Sequence, residues 1–183
     1  MALKDIELTC AIAKSTYLLG DHWSLLILRD MLLHHKTRFK EFLNSKEKIA
    51  TNILTNRLKT LTDKGLITLL NPNSTKKNKQ YIATEKGVST LTIIIELYLF
   101  SIMDIDESIL NEDQLKIKEN ILGNRKAFQN SKLKNYLTFK EKLDRFRRAK
   151  SEAFKSWRIG SKTCCSPSQT MGNVLDKTDE FQI

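Results

Sequence analysis

The chain has 183 residues and a net charge of +10, with a pI near 9.5, which suits one domain with a real core plus an appendage and favours an anionic partner. No run approaches the ~18 apolar residues of a membrane span, and "MALKDIELTC" lacks an apolar signal core, so a cytoplasmic chain is expected. Cys10, Cys164 and Cys165 do not make a secreted disulfide framework, His22, His34 and His35 have no metal-ligand partners at the right spacing, and no glycine loop suits a phosphate, so no metal, no cofactor and no enzymatic activity are expected.

In chain order, "CAIAKSTYLL" (10–19) reads as a first helix, closed by Gly20 as a left-handed cap. Asp21 is placed to cap "HWSLLILRDMLLH", which is apolar nearly all round and therefore central. Trp23 belongs to the core, and Arg29 is expected to pair with an acid or a helix end. A short helix follows at "RFKEFLNS", with Phe39, Phe42 and Leu43 inward. Next comes "IATNILTNRLKTLTDKGLI" (49–67), a helix with Ile53, Leu54, Leu58 and Leu61 on one stripe, ending at Gly65. "LITLL" and "QYIAT" read as strands around the turn-rich "NPNSTKKNK", and "EKGVSTLTIIIELYLFSIM" as a long apolar helix.

The order of four helices, hairpin and helix describes a helix-turn-helix with a wing. It also accounts for an oddity of the 49–67 segment. Thr and Asn are weak helix formers, yet Asn52, Thr55 and Asn56 occupy the side that core packing leaves free, with Lys59 further along. Short hydrogen-bonding side chains there can reach base edges: Asn pairs bidentately with adenine, and the Thr methyl packs on the thymine methyl.

These motifs resemble the HxlR-type winged helix-turn-helix transcriptional regulators. The resemblance rests on a cysteine opening the first helix, then "LLGDHWSLLILRDMLL", "TRFKEFLNS", "IATNILTNRLKTLTDKGLI" and "YIATEKG", in that order. It implies a homodimer on double-stranded DNA, with Thr51, Asn52, Thr55, Asn56 and Lys59 on the recognition helix. Arg38 would meet a phosphate at a helix N-terminus, and Lys76, Lys77 and Lys79 would lie on the wing. Where many members have Ser-Pro, this chain has Ala50-Thr51, and Thr51 is expected to cap the helix. Some members sense oxidants through the cysteine at the position of Cys10, whose thiolate a helix N-terminus would favour; an oxidant or a small-molecule effector is compatible with the family.

Beyond the motifs, residues 125–162 hold thirteen Lys or Arg against three acids. Leu133, Leu137, Leu143, Phe146, Ala153, Phe154 and Trp157 recur at helical spacing, so this is a basic amphipathic helix. It can pack on the dimer helix, contact phosphates or lie on a membrane surface.

The fold class expected is therefore mainly α with a small β-hairpin wing: a winged helix-turn-helix with a C-terminal helical extension. Residues 1–105 form the DNA-binding domain with its dimerisation helix, 106–160 the basic extension and 161–183 a flexible tail. The function expected is sequence-specific transcriptional regulation by a homodimer, redox-responsive through Cys10. A winged-helix protein–protein interaction module that no longer binds DNA keeps the same core and is the alternative.

Overall fold

A computed structural model describes residues 10–71 and 78–160. The chain runs α1 (Ala11–Leu19), α2 (His22–His34), α3 (Phe39–Leu43), α4 (Thr51–Asp63), β1 (Ile67–Leu69), β2 (Tyr81–Ala83), α5 (Glu85–Val88) and α6 (Thr90–Ile102). A 3₁₀ turn at Glu107–Ile109, α7 (Glu112–Gly123) and α8 (Arg125–Gly160) complete it. It is mainly α with one antiparallel hairpin, as expected.

The all-round apolar helix α2 is the centre. Ile27, Leu28, Met31 and Leu32 are at most 3% exposed, and they meet Leu54, Leu58 and Leu61 of α4 and Leu91, Ile94 and Ile95 of α6 in a single core. Asp21 caps α2 as its position predicts, accepting from the Ser24 backbone N–H at 2.9 Å. Trp23 is only partly buried against this core.

Gly20 departs from expectation. Its φ is −68°, not left-handed. A Cβ there would lie 2.2 Å from the Thr16 carbonyl oxygen, so close backbone approach, not φ, calls for glycine. Gly65 does adopt the left-handed region at φ 69° and turns the chain from α4 into β1. The long helix foreseen after the wing divides into α5 and α6 at Ser89, which stays helical at φ −62° and ψ −19°.

In the hairpin, Ile67 faces Ala83, Thr68 faces Ile82 and Leu69 faces Tyr81. The outer edge of β2 is covered in two ways. Near Tyr81, whose N–H donates to the Thr37 carbonyl at 2.8 Å, the Arg38–Gln80 bridge adds a fragment of a third strand. At Ala83 the pairing comes from α8: the N–H donates to the Tyr136 hydroxyl at 2.8 Å, and the carbonyl accepts from Lys140 Nζ at 3.0 Å. Tyr136 is 1% exposed, and burial pushes its phenol up to about 12.

The packing stripe of α8 therefore differs from the one read in the sequence. Phe128, Leu133, Tyr136 and Phe139 lie against the core, and the Phe139 ring stacks on His35 with centroids 4.6 Å apart. Leu137 and Phe146 are instead 42% and 69% exposed. Periodicity alone counted leucines and passed over the two aromatics that β2 and the end of α2 engage. Residues through Asp144 form one compact unit. The remainder forms a second, of which the described part is residues 145–160, the end of α8. The tail at 161–183, with Cys164 and Cys165, lies outside the described residues.

Candidate nucleic-acid interface

The helix α4 is bound to the body through its apolar stripe and by charged side chains at its middle and its C-terminal end. Arg57 Nε sits 3.1 Å from Asp21 Oδ2, which ties its middle to the start of α2. At its C-terminal end Lys64 Nζ donates to the carbonyls of Tyr17 and Leu18 at 2.7 and 3.1 Å, and Lys86 Nζ donates to the Lys64 carbonyl at 3.0 Å. Lys64 and Lys86 thus serve as caps for helix carbonyls.

The exposed residues of α4 are Thr51, Asn52, Thr55, Asn56 and Lys59, followed in the last turn by the acid Asp63. Asn52 Oδ1 accepts from the Ile53 N–H at 2.9 Å and leaves its amide NH₂ free to donate. The Thr55 hydroxyl donates to the Thr51 carbonyl at 2.8 Å. The Asn56 amide and the Lys59 ammonium have no partner among the described residues. No acid lies in the first turn, so the positive end of the helix is unneutralised.

Thr51 is not the cap. Ala50 holds that position at φ −68° and ψ 143°, no side chain caps the helix, and the Ala50 carbonyl accepts the first helical bond from Leu54 at 2.9 Å. The reason lies upstream: Lys48 turns through φ 51° and Ile49, 6% exposed, is anchored in the core. Those two residues fix where the helix starts. The Thr51 hydroxyl is left outward and uncommitted.

Arg38 is exposed at the N-cap of α3, but the helix end beside it is not open to a phosphate. Glu41 Oε2 accepts from the backbone N–H groups of Thr37 and Arg38 at 2.6 and 2.8 Å. Any anion contact there belongs to the guanidinium alone. Lys79 is half-buried at the root of the wing, and Lys76 and Lys77 lie outside the described residues. Cys10 is the exposed N-cap residue of α1, and its thiol makes no capping bond.

A model of the HxlR-like helix-turn-helix family matches residues 18–112, more than half of the chain. The chain belongs to the HxlR-like helix-turn-helix family. Among solved structures, similar chains include PA1607, described as a transcription factor, at 29% identity and TM-score 0.48 over 58% of this chain and 70% of that one. A MarR-family transcriptional regulator from Porphyromonas gingivalis W83 aligns at 26% identity and TM-score 0.47, over 56% and 99%. The reduced form of the transcriptional regulator YodB from B. subtilis aligns at 27% and 0.42, over 51% and 91%. Comparison with curated proteins gives no match. No helix among the described residues is long and apolar enough to cross a membrane.

One part of this HxlR-like chain was only partly legible in its sequence: the buried polar cluster that joins α2 to both flanks of α3 and to the connection before α4. Asp30, 2% exposed, accepts from Lys36 Nζ at 2.7 Å, the Ser45 hydroxyl at 2.5 Å and Arg29 Nη2 at 2.6 Å. Arg29 reaches on to Glu47 at 2.7 Å. The pairing of Arg29 with an acid is as expected; for the rest, the single signal was an acid inside an otherwise apolar helix. Burial pushes the Asp30 carboxyl up, but the hydrogen bonds from Lys36, Ser45 and Arg29 outweigh it and hold it below the usual carboxylate range. Because the folded value is depressed, this stabilisation is complete above the unfolded value near ~4 and is lost as pH falls through the folded one. Asp30→Asn is expected to lower stability at neutral pH by about 3 kcal/mol and to flatten the decline below pH ~4. Denaturant unfolding of both proteins across pH checks this; an unchanged midpoint at neutral pH would remove the cluster from any structural role.

Proposed function

We propose that this chain is a transcriptional regulator that binds operator DNA as a homodimer, with α4 in the major groove. The observation that carries the reading is the outward face of α4. Five polar residues, four of them poor helix formers, stay uncovered on a helix whose other side is packed in the core, whose middle is tied by Arg57 and whose C-terminal end is held by Lys86. Asn56 and the NH₂ of Asn52 are free to pair with base edges, and Lys59 lies where a phosphate would pass. Arg38 is the neighbouring phosphate contact and Lys79, at the root of the wing, a further one; the same role expected of Lys76 and Lys77 falls outside the described residues.

Dimerisation is supported by an apolar stripe on α6. Ile93, Leu97 and Phe100, spaced by four and three residues, are 40%, 45% and 82% exposed, which water disfavours on a lone subunit. Two recognition helices related by the dimer axis would read half-sites about one helical turn apart. The exposed thiol of Cys10 at the head of α1 suits oxidation by a peroxide or disulfide-forming reagent that alters DNA affinity.

Asn56→Ala is expected to cost about 1–3 kcal/mol on a selected operator and less on random DNA. Sequencing of the fragments retained by the protein, followed by anisotropy titrations, measures both. Retention without any sequence enrichment would instead favour a protein-interaction module. Phe100→Glu is expected to shift the sedimentation profile from dimer to monomer, and an unaltered profile would locate the interface elsewhere. Cys10→Ser should abolish the effect of mild oxidant on DNA binding; a variant that still responds would clear Cys10 of sensing.

A further inference from the structure

Charge is divided unevenly along the chain. Residues 1–124 hold seventeen Lys or Arg and fifteen acids, whereas residues 125–160 hold twelve and three, so α8 carries nine of the ten net charges. The helix-turn-helix body is nearly neutral. Within α4 the charged residues are Arg57, Lys59 and Asp63, and Arg57 is engaged by Asp21. Arg38, Lys59 and the wing lysines aside, a body of that net charge offers little long-range attraction to a polyanion before its sequence has been found.

The first part of α8, through Asp144, shows which of its charges are available. One side packs through Phe128, Leu133, Tyr136 and Phe139. Gln129 Nε2 donates to the Thr92 hydroxyl at 2.7 Å, and Lys140 is engaged by Ala83. Lys126, Lys134 and Lys142 emerge on the uncovered side, are exposed, and have no hydrogen bond or ion pair among the described residues. At 1.5 Å per residue they span roughly 24 Å of the helix axis, stepping about 80° round it from one to the next, with Glu141 and the half-buried Asp144 as acids among them. Taken by itself, the second unit continues the composition: residues 145–160 hold six Lys or Arg and one acid, with Arg145 and Arg148 exposed.

We infer that the uncovered basic face of α8 is a second DNA-binding surface, one that grips the sugar–phosphate backbone without reading bases. The inference rests on the reading of α4 as a DNA-facing helix. A membrane surface is the competing polyanion, but an interfacial helix must insert its apolar side among the lipids. Over residues 128–139 that side is already committed to the protein core. A second copy of the same helix is disfavoured by like charge. Leu137 is the exposed apolar residue on the uncovered side, and one leucine gives an interfacial helix little to insert, whereas a regularly spaced phosphate backbone satisfies solvated ammonium groups without any apolar insertion.

The test uses the full chain and the triple variant Lys126→Gln, Lys134→Gln, Lys142→Gln, titrated against a labelled random-sequence duplex over a range of salt. All three positions are exposed, so unchanged thermal melting by circular dichroism verifies the fold. The variant is expected to reduce the slope of log affinity against log salt by about 2–3, and affinity for random duplex by about tenfold or more at moderate salt. The ratio of operator to random-sequence affinity is expected to be preserved. Asn56→Ala should behave in the opposite way, losing the ratio and keeping the slope. An unaltered slope in the triple variant, with DNA still bound, overturns the role of α8 and leaves α4 intact. Absence of duplex binding by the unmodified chain at low salt overturns both readings. Co-sedimentation with phosphatidylserine–phosphatidylcholine vesicles that the triple variant loses, while duplex binding is unaffected, assigns the face to a membrane and also overturns the proposal.

Discussion

Asp30 puts a carboxylate in the middle of an apolar helix, where an unpaired charge would be strongly unfavourable. Three neighbours make the position tenable, and they come from separate places in the chain. Arg29 is the adjacent residue, Lys36 precedes α3, and Ser45 follows α3. The same carboxylate therefore grips both flanks of the short helix α3, while Arg29 extends the grip to Glu47 in the connection toward α4. A five-residue helix has too few internal hydrogen bonds to hold itself. Its orientation, and that of the connection behind it, is imposed by this cluster together with buried Phe42 and Ile49.

The outer face of α4 depends on that arrangement. Its residues can remain unusual for a helix surface because stability comes from the other side: Leu54, Leu58 and Leu61 in the core, Asp21 on Arg57, and Lys86 on the terminal carbonyls. Polar groups that would weaken an isolated helix are carried by tertiary contacts. On the proposed reading, the nearly neutral body and the strongly basic α8 divide two tasks, reading and holding, between different elements.

Local signals were legible in the sequence where local physics decides. Asp21 as a cap, Gly65 as the end of α4, the apolar stripe of α4 and the order of elements all follow from residues a few positions apart. Gly20 and Thr51 show where that locality fails. The glycine is required by proximity to the Thr16 carbonyl, which φ preferences do not register. The start of α4 is set by the anchor Ile49, which overrides the better capping chemistry of Thr51. The packed side of α8 was misread for the same reason. In a 36-residue helix several stripes have acceptable spacing, and the edge of β2 selects the one bearing Tyr136 and Phe139. The Asp30 cluster was hidden because its members are spread over residues 29–47 and form no motif.

Covering the outer edge of β2 with side chains has a consequence for how molecules can associate. A bare strand edge is a template onto which another chain can add by main-chain pairing. Here Tyr81 is matched by a stub of extended backbone, and Ala83 by a phenol and an ammonium from a helix. A helix thus closes the border that a further strand would otherwise extend, and growth of the sheet by strand addition from a second molecule is blocked along that side.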